Sequence, residues 1–323
     1  MSLISISIVT FNTWDDTERC VEAVLGSDLP GHDLEVLIHD NGSERPSRDS
    51  GSLSDPRVTV TRSVTNTGFG RGHNSNLAIA TGTYFFVLNP DARPEPSAIR
   101  FLVEKLEGDE TLGAVAPQLR NEDGSVQRSC RRLPRLRYEA YRSFGLDRLP
   151  IRPFSAPLMS DWAHDTERIV EQPAGAALLL RTRDLRELGG FAEEFPLYFE
   201  DVDLCRRVAE SRGPILFAPG ARVVHGREGT ASRFRKETTF WIEWSRTIYY
   251  RRLGASPATK AAVRVLNLGT ALTRMTLLYL RSTLPATGPR SAEDRAKAIG
   301  YGLVLSTLVL RDEDRWRRAL LHR

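Results

Sequence analysis

Apolar and polar residues alternate along the amino terminus, MSLISISIVTFN, in the period-two pattern of a strand, placed at residues 3–9. An amphipathic helix over 15–26 and a second strand, LEVLIH at 34–39, complete a βαβ opening. A third strand at 57–62 leads into a glycine-rich turn, Asn66 to Asn74, then a helix to Ala80 and a strand at 83–88. Helix 97–107 and strand 113–119 come next, and Asn121-Glu122-Asp123-Gly124 has the composition of a hairpin turn. Strands interleaved with helices predict a parallel, doubly wound sheet. The stretch 120–170 reads as irregular, with prolines at 134, 150, 153 and 157, the pattern of a functional loop or lid or of a disordered segment. Order resumes at 173–180, PAGAALLL, an apolar run fit for a buried strand. A short helix, Gly189-Gly190-Phe191, and a helix opened by Tyr198 to Asp203 follow, the last with Val202, Cys205, Val208 and Ala209 as its apolar stripe. Strands around 215–224 end at His225, before a glycine-rich loop. Helices are predicted over 233–252, 258–284 and 292–310, and their longest uncharged stretch, 298–310, falls short of the roughly 20 residues that cross a bilayer.

At 323 residues and 41% hydrophobic content the chain can build one large α/β domain with an appendage. Three widely separated cysteines (Cys20, Cys130, Cys205) suit neither a disulfide framework nor a thiolate zinc site, and indicate a reducing, cytosolic compartment. The amino terminus lacks the basic region of a signal peptide. The net charge of +4 is unevenly placed. Arginines gather at 128, 131, 132, 135, 137, 142, 148 and 152, and again beyond 232, with apolar residues between them. No nucleic-acid motif accompanies them, so nucleic acid is not the expected partner.

Chemistry concentrates at predicted strand ends. FFVLNPDARP, 85–94, is an apolar run that stops at Asn89-Pro90-Asp91, putting oxygen-bearing side chains at the carboxyl edge of a sheet, where open α/β folds bind ligands. Glu200, Asp201 and Asp203 sit in the first turn of a helix, where capping and dipole complementarity are the ordinary explanation, at about 0.3 to 1 kcal/mol each. Asp40-Asn41-Gly42-Ser43 would by itself be a plain turn, and His225 a plain strand terminus. The segment 66–74 is not a dinucleotide fingerprint, because it lacks the G-x-G-x-x-G spacing.

In order, the anchors are 7–12 (SIVTFN), 39–43 (HDNGS), 66–74 (NTGFGRGHN), 88–91 (LNPD), Gly189-Gly190-Phe191 with 198–205, and 223–225 (VVH). From Ile4 to about residue 230 they resemble the family 2 glycosyltransferases, and within them the bacterial rhamnosyltransferase-like group. The resemblance implies a GT-A fold, a Rossmann-like, doubly wound, mostly parallel sheet, with a helical C-terminal extension. It implies nucleotide-sugar binding by Thr10, Phe11, Asn12, Asp40, Asn66, Gly68, Phe69, Gly70, Arg71, Asn74, Asn89, Asp91 and Arg206. Asp40 would accept from the imide N–H of uracil or thymine, and the 66–74 backbone would approach the nucleotide closely. Asn89 and Asp91 stand where the family carries its Asp-x-Asp motif, with the first carboxylate replaced by an amide. Mn²⁺ or Mg²⁺ would be held by Asp91, His225 and the donor diphosphate, a ligand set suiting Mn²⁺ somewhat better. Asp201 maps to the general base and Glu200 to its neighbour in acceptor binding, in a single displacement that inverts the anomeric carbon. Asp203 reads as a cap or support residue, and 124–129 with Arg131, Arg132 and Pro134 as a segment folded over the acceptor.

The expected division is a catalytic domain over 1–231 (a nucleotide-binding half 1–119, an acceptor-side hairpin and loop 120–172, an acceptor and base half 173–231) and a helical region over 232–323. Basic, aromatic helices beyond 232 suit either an anionic membrane surface or packing on the catalytic domain or in a homodimer. The reading is an inverting glycosyltransferase, cytoplasmic or peripheral on the inner face of the cell membrane. It would transfer L-rhamnose from dTDP-L-rhamnose to a hydroxyl of a cell-envelope or polyprenyl-linked glycan. A UDP-hexose-dependent transferase and a non-catalytic sugar-nucleotide-binding scaffold are the alternatives.

Overall fold

A computed structural model describes residues 2–45, 51–146, 149, 151, 156–226, 235–283 and 289–310. Arg148, Arg152, Pro150, Pro153, the glycine-rich loop after His225, the 231/232 boundary, residue 284 and the chain beyond 310 lie outside them. The chain divides into two compact units, one of residues 1–133, 158–193 and 200–229, the other of 134–157, 194–199 and 230–323.

The first unit is built on β1 (Ser2–Thr10), α1 (Trp14–Leu25), β2 (His32–Asp40), β3 (Val58–Arg62), α2 (Phe69–Ile79), β4 (Tyr84–Leu88), β5 (Ala92–Pro94), α3 (Ala98–Gly108) and β6 (Ala114–Arg120). It continues through β7 (Cys130–Arg131). After α4 (Leu136–Ser143), which belongs to the second unit, it resumes with β8 (Arg168–Val170), β9 (Gln172–Pro173), β10 (Ala177–Arg181), α5 (Thr182–Glu187), α6 (Glu200–Ser211) and β11 (Ile215–His225). Among the described residues the main sheet runs β3-β2-β1-β4-β10-β6-β11-β5, with β8 also on β11. Strands β3, β2, β1 and β4 are parallel to one another, as are β6 and β11, while β10, β5 and β8 run antiparallel to their neighbours. The mostly parallel GT-A architecture is therefore present, with one antiparallel strand inserted at its centre.

Period-two alternation sends β1 to both faces. Ile4, Ile6 and Ile8 pack with Val36, Ile38, Phe86 and Leu88 under α1 and α3. On the other face Leu37, Phe85, Val87, Leu178 and Leu180 pack with α2, α5 and α6. Beneath α2 the contact is polar. Ser7 Oγ is 2.7 Å from His73 Nδ1, and Asn76 Nδ2 donates to Ser7 Oγ and to the carbonyls of Ile8 and Leu37. Burial of these groups is tolerated through those bonds, although His73 Nε2 and Asn76 Oδ1 make none.

Four expectations need correction. The glycine-rich segment is a turn only to Gly68, since α2 begins at Phe69. Gly70 and Gly72 lie inside that helix: a Cβ at Gly72 would stand 2.7 Å from Val9 of β1, so Gly72 serves helix-on-sheet packing, and one at Gly70 would stand 3.0 Å from Phe191. The run 173–180 is split: β9 pairs with β7 in a separate ribbon, and only Ala177 onward enters the main sheet. The stretch 120–170 holds β7, α4 and β8. On α6, Ala209 is exposed and Leu204 is buried in its place.

The second unit carries α4 together with α7 (Arg235–Arg252), α8 (Pro257–Thr283) and α9 (Pro289–Leu310). Trp241, Trp244, Ile248 and Tyr249 on α7, Val263 and Ala271 on α8 and Tyr301 and Val304 on α9 are buried. Among the described residues no helix is long and apolar enough to cross a membrane.

Candidate active site

The carboxyl ends of the parallel strands meet at one edge, where β1 ends at Thr10 beside Asp40 and β2 ends at Asp40 beside Arg62. Asp40 is 1% exposed, and its Oδ1 accepts from Ser43 N at 2.9 Å. Its Oδ2 makes no hydrogen bond and faces Arg62 Nε at 3.4 Å, leaving an acceptor at the strand end. Thr10 is buried, its hydroxyl taken by Thr13 and Thr17, so it supports the edge from within. Asn12, at φ 56°, donates its N–H to Ser43 Oγ and accepts from Glu44 N, tying the β1 end to the β2 end beside half-buried Phe11.

Sequence reasoning left out Asn41, which organises the next turn. Its Nδ2 donates to Asn66 Oδ1 and to the Gly68 carbonyl, while its Oδ1 accepts from Thr67 N and Oγ1. Gly68, at φ 95°, then starts α2 in a conformation that side chains disfavour. Phe69 packs edge-on against His73 and Phe191. Burial pushes the His73 imidazole down to about 3, with His39 adding to the effect. Asn74 is consumed by the 189–193 loop: it donates to Phe191 O and Glu193 Oε1 and accepts from Phe191 N. Arg71 reaches the Glu193 carbonyl. Residues His39, Ser63, Thr67, Arg71, Asn74, Ser75 and Glu193 line a cavity of about 330 Å³.

Asn89, Asp91 and His225 do come together. His225 Nε2 lies 3.1 Å from Asn89 Nδ2 and 3.4 Å from Asp91 Oδ1, and its Nδ1 lies 3.1 Å from Gln127 Oε1. Gln127 therefore faces His225, where the sequence suggested an acceptor lid. Among the described residues no cluster of three or more His, Cys, Asp or Glu side chains is gathered for a metal, so this carboxylate and imidazole are an incomplete ligand set.

Asp201 lies on the first turn of α6, after Tyr198 and Phe199, which are both left-handed at φ 65° and 69°. Such a conformation is costly for aromatic residues, at about 1–3 kcal/mol each. Asp201 Oδ2 accepts from Gly175 N at 3.1 Å and Oδ1 from its neighbour Val202 N. Burial raises the Asp201 carboxyl above its ordinary value, opposed by those N–H groups and by the charge of Arg131. Gly175 is the other residue missed, and its signal was the glycine in PAGAALLL: a Cβ there would stand 2.7 Å from Asp201 Cβ. One residue on, the Ala176 carbonyl accepts from Asn89 N at 2.9 Å. Glu200 is 4% exposed at the helix start, near Gly70. Arg206 joins Asp203 and Glu210, and Arg207 holds Asp203 Oδ2 at 2.8 Å, which makes Asp203 a support residue and places Arg206 in the acidic network.

A mannosyltransferase of Pyrobaculum calidifontis, PcManGT, solved in complex with GDP-Man and Mn²⁺, superposes at a TM-score of 0.58 over 97% of this chain and 88% of that one, at 17% identity. The fold is thus the GT-A fold of nucleotide-sugar glycosyltransferases. Residues 5–163 match the family model described as Glycosyl transferase family 2, so the chain carries a domain of that family and is a glycosyltransferase. An N-acetylglucosaminyl-diphospho-decaprenol L-rhamnosyltransferase of Mycobacterium tuberculosis is 26% identical over 243 residues, 72% of this chain and 78% of that protein. Rhamnosyltransferase WbbL of Escherichia coli is 26% identical over 167 residues, 49% of this chain and 61% of WbbL. The chain is similar to both, within the rhamnosyltransferase-like group.

Gly175→Ala is expected to displace the Asp201 carboxyl and lower sugar transfer about 100-fold, the scale of a misplacement near 1 Å. Steady-state kinetics beside circular dichroism checks this; transfer at the wild-type rate with an unchanged fold would refute the close approach.

Proposed function

We propose that the protein is an inverting glycosyltransferase that moves a sugar from a nucleoside diphosphate to an acceptor hydroxyl, with Asp201 as general base. One observation carries the reading. Asp201 and the Asn89, Asp91, His225 cluster are tied to adjacent residues: Gly175 N–H holds the Asp201 carboxylate, and the Ala176 carbonyl holds the main-chain N–H of Asn89. A proton acceptor and a diphosphate site fixed to one short segment suit a single displacement.

The acceptor O–H gives its proton to Asp201, the acceptor oxygen bonds to the anomeric carbon, and the C–O bond to the diphosphate breaks on the opposite face, leaving with its electron pair. The raised pKa of Asp201 suits a base that must take a proton near neutral pH. Glu200 lies beside it on the acceptor side. Asp40 Oδ2 is placed to accept a pyrimidine imide N–H, with Thr10, Phe11, Asn12, Asn66, Gly68, Phe69, Gly70, Arg71 and Asn74 shaping the nucleotide pocket and Arg206 reaching it through the acidic network. Asp91 and His225 would hold Mn²⁺ or Mg²⁺: a carboxylate oxygen and an imidazole nitrogen 3.4 Å apart are compatible donors, and the diphosphate would complete the incomplete set. When bound, the ion neutralises charge on the departing diphosphate.

Likeness to rhamnosyltransferases supports L-rhamnose from dTDP-L-rhamnose as donor and a polyprenyl-linked glycan as acceptor. Of the proposed catalytic halves, 1–119 carries the donor-side groups other than Arg206 and His225, and 173–231 carries those two and the base. In the second unit α8 exposes Val265, Leu272, Tyr279 and Leu280 with Arg264 and Arg281 along the same helix, which supports peripheral contact with an anionic inner membrane face over a homodimer.

Calorimetry with dTDP-rhamnose, UDP-glucose, UDP-galactose, UDP-N-acetylglucosamine and GDP-mannose should find one pyrimidine donor whose binding needs Mn²⁺ and is lost in Asp91→Ala. Asp201→Asn should keep that binding and lose turnover by at least about 10³-fold, whereas turnover surviving in Asp201→Asn would remove the assigned base. Activity should fall as pH drops through a pKa above the ordinary carboxylate range, because protonated Asp201 cannot accept a proton. Arg131→Met should move that acid limb to higher pH, and an unmoved limb would assign it to another group. Vesicle co-sedimentation should show retention on anionic but not zwitterionic lipid, weakened by Leu272→Glu; no retention on either argues for the homodimer or a bare solvated face.

A further inference from the structure

Gln127 lies just past the hairpin turn, its backbone N–H bonded to the Leu119 carbonyl of β6 at 2.8 Å. Its carboxamide meets His225 twice. Nε2 is 2.7 Å from the His225 carbonyl oxygen and 3.5 Å from that of Arg120, while Oε1 is 3.1 Å from His225 Nδ1. Hydrogens follow from donor and acceptor chemistry. Two carbonyl oxygens can only accept, so the end facing them is the NH₂ and both of its hydrogens are used. The other end is then a carbonyl oxygen that can only accept, so His225 Nδ1 must carry a hydrogen. In the neutral imidazole Nε2 is left with its lone pair, pointing to Asn89 Nδ2 at 3.1 Å with Asp91 Oδ1 at 3.4 Å.

We infer that Gln127 is a positioning residue for the cation site: it fixes His225 as the Nδ1–H tautomer and aims the Nε2 lone pair at the place beside Asp91. One side chain grips both the ring and the backbone carbonyl of the same histidine. Turning the ring therefore costs the Nδ1–H bond while the backbone tie stays in place, which restricts the imidazole to one orientation. An imidazole ligand whose other nitrogen donates to a fixed acceptor is both oriented and made more basic. Without a cation the Asn89 NH₂ satisfies the lone pair, so the amide that replaces the family's first carboxylate keeps Nε2 partnered until the ion arrives. The inference rests on the proposed function, because it gives the Asp91 and His225 pair a cation to hold.

The test uses the full chain labelled with ¹⁵N-histidine. Long-range ¹H–¹⁵N spectra of the metal-free protein, with His225 assigned by its loss in His225→Asn, should show a protonated Nδ1 and a pyridine-type Nε2. Gln127→Leu, checked for an unchanged melting curve, should lose that signature and bind Mn²⁺ with UDP or dTDP about 10- to 100-fold more weakly by calorimetry. The opposite tautomer in the wild type overturns the inference, and that measurement stands even where the variant fails to fold. Undiminished Mn²⁺ affinity in a folded Gln127→Leu also overturns it. Wild type that binds no Mn²⁺ with any nucleoside diphosphate overturns the metal part of the proposed function instead, and the spectra still decide the tautomer.

Discussion

The candidate chemistry depends on the absence of one Cβ. Between β9 and β10 the chain leaves a two-stranded ribbon and enters the main sheet, and in that gap Gly175 N–H meets the Asp201 carboxylate while the Ala176 carbonyl meets Asn89 N–H. A Cβ at 175 would stand 2.7 Å from Asp201 Cβ, closer than two such atoms can lie, so something would have to shift. The Gly175 N–H is committed to the Asp201 side chain, while the Ala176 carbonyl takes the main-chain N–H of Asn89, one step beyond the pairing of Ala177 with Leu88. Insertion of β10 antiparallel between β4 and β6 follows from the same geometry. The chain enters the sheet at the carboxyl end of β4, where Ala177 pairs with Leu88, and runs back toward Tyr84. A parallel strand could not place both peptide groups at that edge.

Polar residues elsewhere at the edge are held by a similar logic. Asp40, Asn41, Ser43, Asn66 and Thr67 form a set in which donors and acceptors are largely paired, and buried polar groups are tolerated on that condition. The exception, Asp40 Oδ2, is therefore informative: a buried carboxylate oxygen without a hydrogen bond costs about 1–3 kcal/mol unless a ligand or a charge compensates. Arg62 at 3.4 Å supplies charge without the hydrogen bond, and leaves the direction in which a base N–H could approach.

The strands and most helices of the first unit were legible because their residues obey a simple period. Ile4, Ile6 and Ile8 alternate with serines, and the sheet uses that alternation directly. The positions of Asn89, Asp91, His225, Asp40 and Asp201 at strand ends or in a first helical turn were legible too, since element ends carry function. What escaped was tertiary. Nothing local marks Asn41 as the hub of a turn 25 residues away, or Asn74 as the tie to a loop 117 residues on. Gly72 looked like part of a turn because glycine permits both a tight turn and a close helix-to-sheet approach. Leu204 and Ala209 were exchanged because the stripe was drawn for a helix covered on one side, whereas α6 buries Asp203 and Leu204 as well.

Helix α4 shows why periodicity fails where charge is buried. Its sequence, LRYEAYRS, has no apolar stripe, and its buried residues are Tyr138, Glu139 and Ser143. Within the second unit Arg142 donates to Glu243 at 2.6 Å, Asn267 at 2.8 Å and Glu139 at 3.1 Å, and Arg246 binds Glu139 at 2.8 and 2.9 Å. Burial alone would raise Glu243, but the two guanidinium groups hold it below its ordinary value. Desolvating four charges offsets most of what their attraction supplies, so well-packed apolar residues would stabilise the unit at least as well. Removing a single partner is different, costing about 3–5 kcal/mol because its counter-charge stays buried. Such a network contributes little net stability yet penalises every misaligned arrangement of α4, α7 and α8. Apolar helix faces can slide by a turn with little loss, whereas a guanidinium fork that must meet three oxygens at once cannot. The register of these helices is therefore set by residues that a hydrophobic pattern reads as surface.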